Sequence, residues 1–122
     1  MKHPNSGLFH YCLNLGKQLE KNFNLQDEQL FFYTPPGQQE WSYCSANHIT
    51  QNPLHKFVLP SLHSFDIWHA TYQNTQYMPM QNRKIKVVLS IHDLNFLYDE
   101  QKSAAKKQKY LRYLQNLIHR AD

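Results

Sequence analysis

The sequence predicts an α/β fold with a mostly parallel sheet, and three observations lead to this prediction. Two segments, one near each end of the chain, repeat apolar residues at helical spacing. Short apolar runs of strand length lie between them, separated by long connections. The resulting order of helix, strand, weak strand, strand, strand and helix is typical of α/β domains with buried parallel strands.

The two predicted helices are amphipathic. The first covers residues 7–23, and Asn5 or Ser6 can cap its first N–H groups. The second covers residues 102–120, and its basic polar face predicts a solvated surface, with a membrane-facing patch as the alternative. The predicted apolar faces are Leu8, Tyr11, Cys12, Leu15, Leu19 and Phe23 in the first helix, and Lys107 (its aliphatic stem), Tyr110, Leu111, Leu114, Leu117 and Ile118 in the second.

The predicted strands are short. Three segments have the pattern of a strand: EQLFFYT (28–34), DIWHA (66–70) and IKVVLSI (85–91). The pattern is weaker in HKFVLP (55–60), a predicted strand that ends at Pro60. The continuous apolar centre of 28–34 is typical of a strand that is covered on both faces. Residues 38–56 are predicted as loop with at most a short helix, 72–84 as a polar loop, and LNFLYDEQ as a loop or one helical turn.

Length and composition favour one compact domain over residues 1–122. No apolar run approaches the roughly 18 residues that a membrane span needs, and no secretory signal is recognisable. Cys12 and Cys44 lack a metal-type spacing, so we expect reduced cytoplasmic thiols, with a disulfide in a secreted domain as the alternative. The net charge of +4 tolerates anionic partners, but no dense Lys/Arg stripe predicts nucleic-acid binding.

The stretch VVLSIHDLNF places His92 and Asp93 where the strongest predicted strand stops. In open parallel sheets, ligands bind outside the carboxyl ends of the strands. An imidazole there can form a hydrogen bond with a sugar hydroxyl or a phosphate, and Asp93 can orient it. Alternatively, Asp93 caps the following turn and His92 only packs. The spacing leaves both interpretations open.

Other candidate residues lie at the ends of predicted elements. His69 and Tyr72 lie at the end of the strand at 66–70, although the pattern favours His69 as a half-buried side chain with its hydrogen bonds satisfied. Gly7 opens the first helix, where exposed N–H groups favour an anion. No HxH or HExxH spacing predicts a metal site, and the absence of a GxGxxG motif disfavours a dinucleotide cofactor.

Four segments taken together resemble the N-terminal half of family 4 glycosyltransferases with the GT-B fold: NSGLFHYCLNLGKQL, DIWHATYQNTQYMP, VVLSIHDLNFLYDEQ and KYLRYLQNLIHRAD. The resemblance covers nearly the whole chain, and IHDL combined with HRAD is its most specific part. It implies a Rossmann-like domain that binds the acceptor and closes over a nucleotide-sugar held mainly by a second domain. It also implies transfer with retention, without a metal or other cofactor.

The resemblance also implies roles for individual residues. His92, with Asp93, matches the active-site position near the transferred sugar. Ser6 and Gly7 match the loop that approaches the donor phosphates. His69, Tyr72 and Gln73 match the wall on the acceptor side.

The sequence departs from the family in two respects. The strand before the glycine loop and the C-terminal domain with its Glu-x7-Glu donor site do not lie within these residues. We therefore expect a Rossmann-like sheet that is incomplete at its N-terminal strand, and dimerisation, strand exchange or a rearranged sheet in compensation. We also expect no turnover by the chain alone.

These expectations combine into one functional prediction. The chain is predicted to be the acceptor-binding half of a cytoplasmic hexosyltransferase, or of one that is peripheral at the inner membrane surface. Its expected partners are a nucleotide-sugar, a glycan or lipid-linked acceptor, and its own C-terminal domain. The product would be a cell-surface polysaccharide or glycolipid. The alternative is a small non-catalytic α/β binding or interaction module in which Asp93 only caps a turn.

Overall fold

The computed structural model describes residues 6–24, 26–37 and 46–122. Within these ranges the strands form two parallel pairs, β1 with β2 and β3 with β4, which confirms the predicted α/β class. The chain divides into two compact units, Met1–Pro53 and Leu54–Asp122. That residues 1–122 make one domain stays a prediction. The elements are α1 (Gly7–Asn22), β1 (Phe31–Thr34), β2 (Asn47–Thr50), β3 (Ile67–Ala70), β4 (Lys86–Leu89) and α2 (Ala104–Arg120), with short 3-10 helices at Pro53–Lys56 and Asn95–Leu97.

Helix α1 begins at a side-chain cap. Ser6 Oγ accepts the N–H of Phe9 at 3.2 Å, which satisfies one of the donors that a helix start leaves unpaired. The alternative cap, Asn5, lies outside the described residues. The buried positions of α1 are Phe9, Cys12 and Gly16.

The predicted apolar face of α1 is partly wrong. Tyr11 is 38 % exposed, whereas Phe9, which was not predicted to face the core, is 5 % exposed. The buried residues of α1 follow a three- to four-residue spacing, so they lie on one narrow face of the helix. The core of this unit is made by Cys12, Phe32 and Ala46, with Leu8, Leu13 and Leu30 packed against it.

Strand β2 lies where the sequence predicted loop, so that prediction is wrong for residues 47–50. Its residues pair in parallel with β1, from Phe31 opposite Asn47 to Thr34 opposite Thr50. The strand escaped detection because three of its four side chains are exposed and only Ile49 is apolar. Strand β1 is shorter than predicted, and Phe32 is its one buried residue, so the expected burial on both faces is wrong.

The second unit is built around the parallel pair β3–β4. Ile67 lies opposite Lys86, and Ala70 lies opposite Leu89. Helix α2 packs against β4. The buried apolar side chains of this unit include Trp68, Ala70, Ile85, Val87, Leu114 and Leu117.

The predicted strand at residues 55–60 is wrong. Pro53–Lys56 forms a 3-10 helix, and the N–H groups of Phe57 and Val58 both donate to the carbonyl of Leu54 at 3.0 Å. These local hydrogen bonds take the place of the inter-strand hydrogen bonds that a β-strand would form. Phe57 is 85 % exposed and Val58 is 74 % exposed, so the apolar pair that suggested a strand faces solvent.

Helix α2 has the predicted extent to within two residues but buries an unexpected side chain. Arg120 is 4 % exposed, whereas Ile118, predicted to face the core, is 47 % exposed. The guanidinium of Arg120 donates to the carbonyls of Pro79 at 2.8 Å, Asn82 at 2.6 Å and Ile85 at 2.8 Å. Arg120 therefore ties the loop that enters β4 to the end of α2.

Asp122 forms hydrogen bonds along the outer edge of β4. Its N–H donates to the carbonyl of Val87 at 2.9 Å, and its Oδ2 accepts the N–H of Val87 at 2.8 Å. The hydrogen bond from Val87 N–H, followed by that from Lys86, lowers the pKa of the Asp122 carboxyl. In the parts of the chain that the structure describes, neither helix has an apolar stretch long enough to cross a membrane.

Candidate functional site

The parallel pairing of β3 and β4 brings two polar segments to one edge of their sheet. Ala70 lies opposite Leu89, and the N–H of Ser90 donates to the carbonyl of Ala70 at 2.8 Å. Because both strands run in the same direction, residues 71–73 and 91–93 leave the sheet side by side. This edge is the carboxyl end, where the sequence predicted a ligand site.

The side chain of His92 is exposed, and its ring forms a hydrogen bond with the backbone. Its Nε2 lies 2.9 Å from the backbone carbonyl oxygen of Thr71. A carbonyl can only accept, so Nε2 carries the proton, and in the neutral ring the lone pair is on Nδ1. The ring is thus exposed rather than buried in the core, and whether it has a functional role stays a prediction.

Gln73 fixes the backbone of the His92–Asp93 pair. Gln73 is 3 % exposed. Its Oε1 accepts the N–H of His92 at 3.2 Å, and its Nε2 donates to the carbonyl of Asp93 at 3.0 Å. The amide thus bridges two successive residues of the segment that leaves β4. A contact between Gln73 and a sugar acceptor stays a prediction. The two hydrogen bonds by which Gln73 holds the backbone of His92 and Asp93 are a structural finding.

Asp93 caps the turn that follows it. Its Oδ1 accepts the N–H of Asn95 at 3.1 Å, at the start of the 3-10 helix Asn95–Leu97. The turn-cap interpretation is therefore correct for this side chain. A catalytic role for Asp93 stays a prediction, and the carbonyl of Thr71 contacts the ring of His92 at Nε2.

His69 and Tyr72 differ in exposure. His69 is half-buried, and its Nε2 lies 2.9 Å from the Oγ of Ser90 on the adjacent strand end. Burial lowers the pKa of His69, so its ring is neutral at pH 7. Tyr72 is 38 % exposed, and its hydroxyl accepts from Nδ2 of Asn74 at 3.2 Å. Their predicted role in an acceptor wall remains untested by these contacts.

Ser6 and Gly7 belong to the first unit, whereas the residues around His92 belong to the second. The Ser6 hydroxyl is used as the cap of α1. A Cβ added at Gly7 would meet nothing within 4 Å, so the backbone at this helix start borders open space. That Ser6 and Gly7 lie beside the donor phosphates stays a prediction.

The sequence missed the two contacts that organise this edge. The hydrogen bond from His92 to Thr71 O depends on the register between β3 and β4, which no local pattern reveals. The positioning role of Gln73 was difficult to recognise in the sequence, since it is one of several amide side chains in a polar loop. Its burial could be inferred only from the tertiary structure.

No group of three or more His, Cys, Asp or Glu side chains that could hold a metal occurs in residues 6–24, 26–37 and 46–122. Cys12 is buried, and Cys44 lies outside the described residues. The expectation of a metal-free site stays a prediction.

The edge formed by β3 and β4 therefore presents an oriented imidazole and a phenol hydroxyl within one unit. Both groups can form hydrogen bonds with a ligand that is rich in hydroxyl or phosphate oxygens. Comparisons of the chain with protein-family models, with curated proteins and with solved structures gave no match.

Proposed function

We propose that the chain is the acceptor-side domain of a retaining glycosyltransferase that resembles family 4 and has the GT-B fold. The enzyme would transfer a hexosyl group from a nucleotide-sugar to a glycan or a lipid-linked acceptor. The proposal places the reaction in the cytoplasm, or at the inner membrane surface when the acceptor is a lipid. The donor would be held mainly by a second domain, so the chain alone would be inactive.

The observation that carries the proposal is the exposed His92 ring at the carboxyl end of two parallel strands. Its Nε2–H is held by Thr71 O, and its backbone N–H is held by Gln73. A ring placed in this way is oriented before any ligand arrives, and such preorganised groups stabilise developing charge most effectively. Positioning of donor and acceptor would supply much of the remaining acceleration.

The Rossmann-like part of the proposal draws on the strand pairing. In the described part of the chain, the two parallel pairs remain separate sheets. A Rossmann-like sheet needs a further parallel strand between β1 and β3, which the resemblance places before the glycine loop. Strand exchange or dimerisation would supply that strand.

The alternative is a small α/β binding module without catalysis. The Asp93 turn cap and the structural use of Gln73 favour it, because both groups already have roles in local folding. In that case His92 would be an exposed surface residue whose loss changes no reaction.

The reading frame that follows codon 122 tests the proposal. We expect about 200 further residues with a second α/β pattern and two glutamates eight positions apart, which the resemblance implies for the donor site. A stop codon, or a downstream sequence without that pair, would favour the binding module.

A further inference from the structure

A cavity of about 230 Å³ opens in the second unit, beside the carboxyl-terminal half of α2. Its walls come from α2, from the loop after β3 and from the 3-10 helix at Pro53–Lys56. None of its lining residues belongs to the set around His92. At ~30 Å³ per water, this volume accommodates roughly eight water molecules, or a ligand of about ten non-hydrogen atoms.

The floor of the cavity is apolar. Leu117 is 2 % exposed and Met78 is 6 % exposed, while Met80 at the opening is 42 % exposed. Methionine side chains are flexible and polarizable, so they adapt to the shape of a small apolar body. This part of the cavity favours an aromatic or branched aliphatic group.

The rim of the cavity is polar and has one formal charge. Lys56, Gln76 and Asn116 line it, and their side chains have no protein partner among the described residues. Tyr113 also lines the cavity, and its hydroxyl donates to the carbonyl of Thr75. Burial raises the pKa of Tyr113, so its phenol remains neutral and the charge of the lining comes from Lys56.

We propose that this cavity binds a small monocarboxylate with an aromatic or branched apolar body. The carboxylate pairs with the ammonium of Lys56 and accepts hydrogen bonds from the amides of Gln76 and Asn116, which are the available donors. The apolar body lies over Met78 and Leu117. Removing that body from water supplies most of the affinity, and the charge pair supplies the selectivity for an anion.

Titration of the chain with benzoate, followed by ¹H–¹⁵N NMR, tests the proposal. We expect saturable shifts of the side-chain amide signals of Gln76 and Asn116, with a Kd of about 1 mM or tighter. Benzamide has the same shape without the charge. We expect it to bind at least about tenfold more weakly.

The matched variants are Lys56→Gln and Lys109→Gln. Both remove one positive charge, but Lys109 is an exposed residue of α2 outside the cavity lining. We expect Lys56→Gln to weaken benzoate binding about two- to fivefold and Lys109→Gln to leave it unchanged. Shifts that stay linear up to about 20 mM benzoate, equal binding of benzamide, or equal effects of the two variants would overturn the proposal.

Discussion

The imidazole of His92 donates a hydrogen bond from Nε2 to the backbone carbonyl of Thr71, with 2.9 Å between the two atoms. The contact links the segments that leave β3 and β4, and it exists because the two strands are parallel and in register. It makes the orientation of an exposed ring depend on backbone geometry. The first prediction below concerns Gln73, which holds the backbone N–H of His92.

Gln73→Ala should destabilise the second unit by about 1–3 kcal/mol, because it leaves the N–H of His92 and the carbonyl of Asp93 without their partner. Urea unfolding measures the change. Gln81→Ala is the control, since Gln81 is an exposed residue of the same loop and its loss should change stability by less than about 0.5 kcal/mol. Equal stability of the two variants would show that the amide bridge contributes nothing.

Arg120→Met should cost about 3 kcal/mol or more of unfolding free energy. The substitution keeps an apolar stem but leaves the carbonyls of Pro79, Asn82 and Ile85 without a donor. The matched variant is Arg112→Met on the exposed face of α2, which should stay within about 0.5 kcal/mol of the parent. Denaturant unfolding of both variants checks this, and similar losses would contradict the role given to Arg120.

His69 should make stability depend on pH. Its folded pKa lies below the ordinary value of 6.5 because the ring is half-buried, so the unfolded chain binds the proton more tightly. The contribution of His69 is therefore fully present above about pH 6.5 and is lost as the pH falls below it. We expect His69→Gln to reduce the loss of unfolding free energy between about pH 7 and pH 5.

The control for His69 is His63→Gln, which replaces an exposed histidine in the same unit. It should leave the pH dependence of unfolding as it is in the parent chain. If His69→Gln and the parent lose stability in parallel over this range, the burial of His69 has no energetic consequence.

The prediction of exchanged or added strands concerns the assembly of the chain. If the sheet needs a further central strand, as the resemblance implies, pairing between copies should complete it. Light scattering and small-angle X-ray scattering should then give about twice the mass of one chain. A compact monomer would contradict the incomplete-sheet part of the proposal.

The sequence identified those elements whose signal is local. Helix α1 was predicted from periodicity and the Ser6 cap, and β4 from a β-branched apolar run. Strand β2 was missed because its pairing with β1 stabilises a polar segment without a pattern of its own. The segment that contains Phe57 and Val58 was wrongly predicted as a strand, because its apolar residues were expected to be buried and both are exposed.

The site was predictable to a similar degree. The position of His92 and Asp93 at the edge of the sheet was predictable, because the strand before them was recognisable and parallel strands end at the same edge. Gln73 and Arg120 were assigned no positioning role, since each forms hydrogen bonds with backbone groups distant in sequence. Such contacts depend on the fold rather than on the spacing of residues.

The central claim is that the ring of His92 takes part in sugar transfer. The most direct measurement compares the transfer rates of His92→Ala and His63→Ala in the protein that includes the donor-binding domain, with unfolding curves of both variants. We predict that His92→Ala loses about 100-fold or more of the activity with its stability retained, and that His63→Ala changes it less than about twofold. Equal transfer rates in correctly folded variants would contradict the claim.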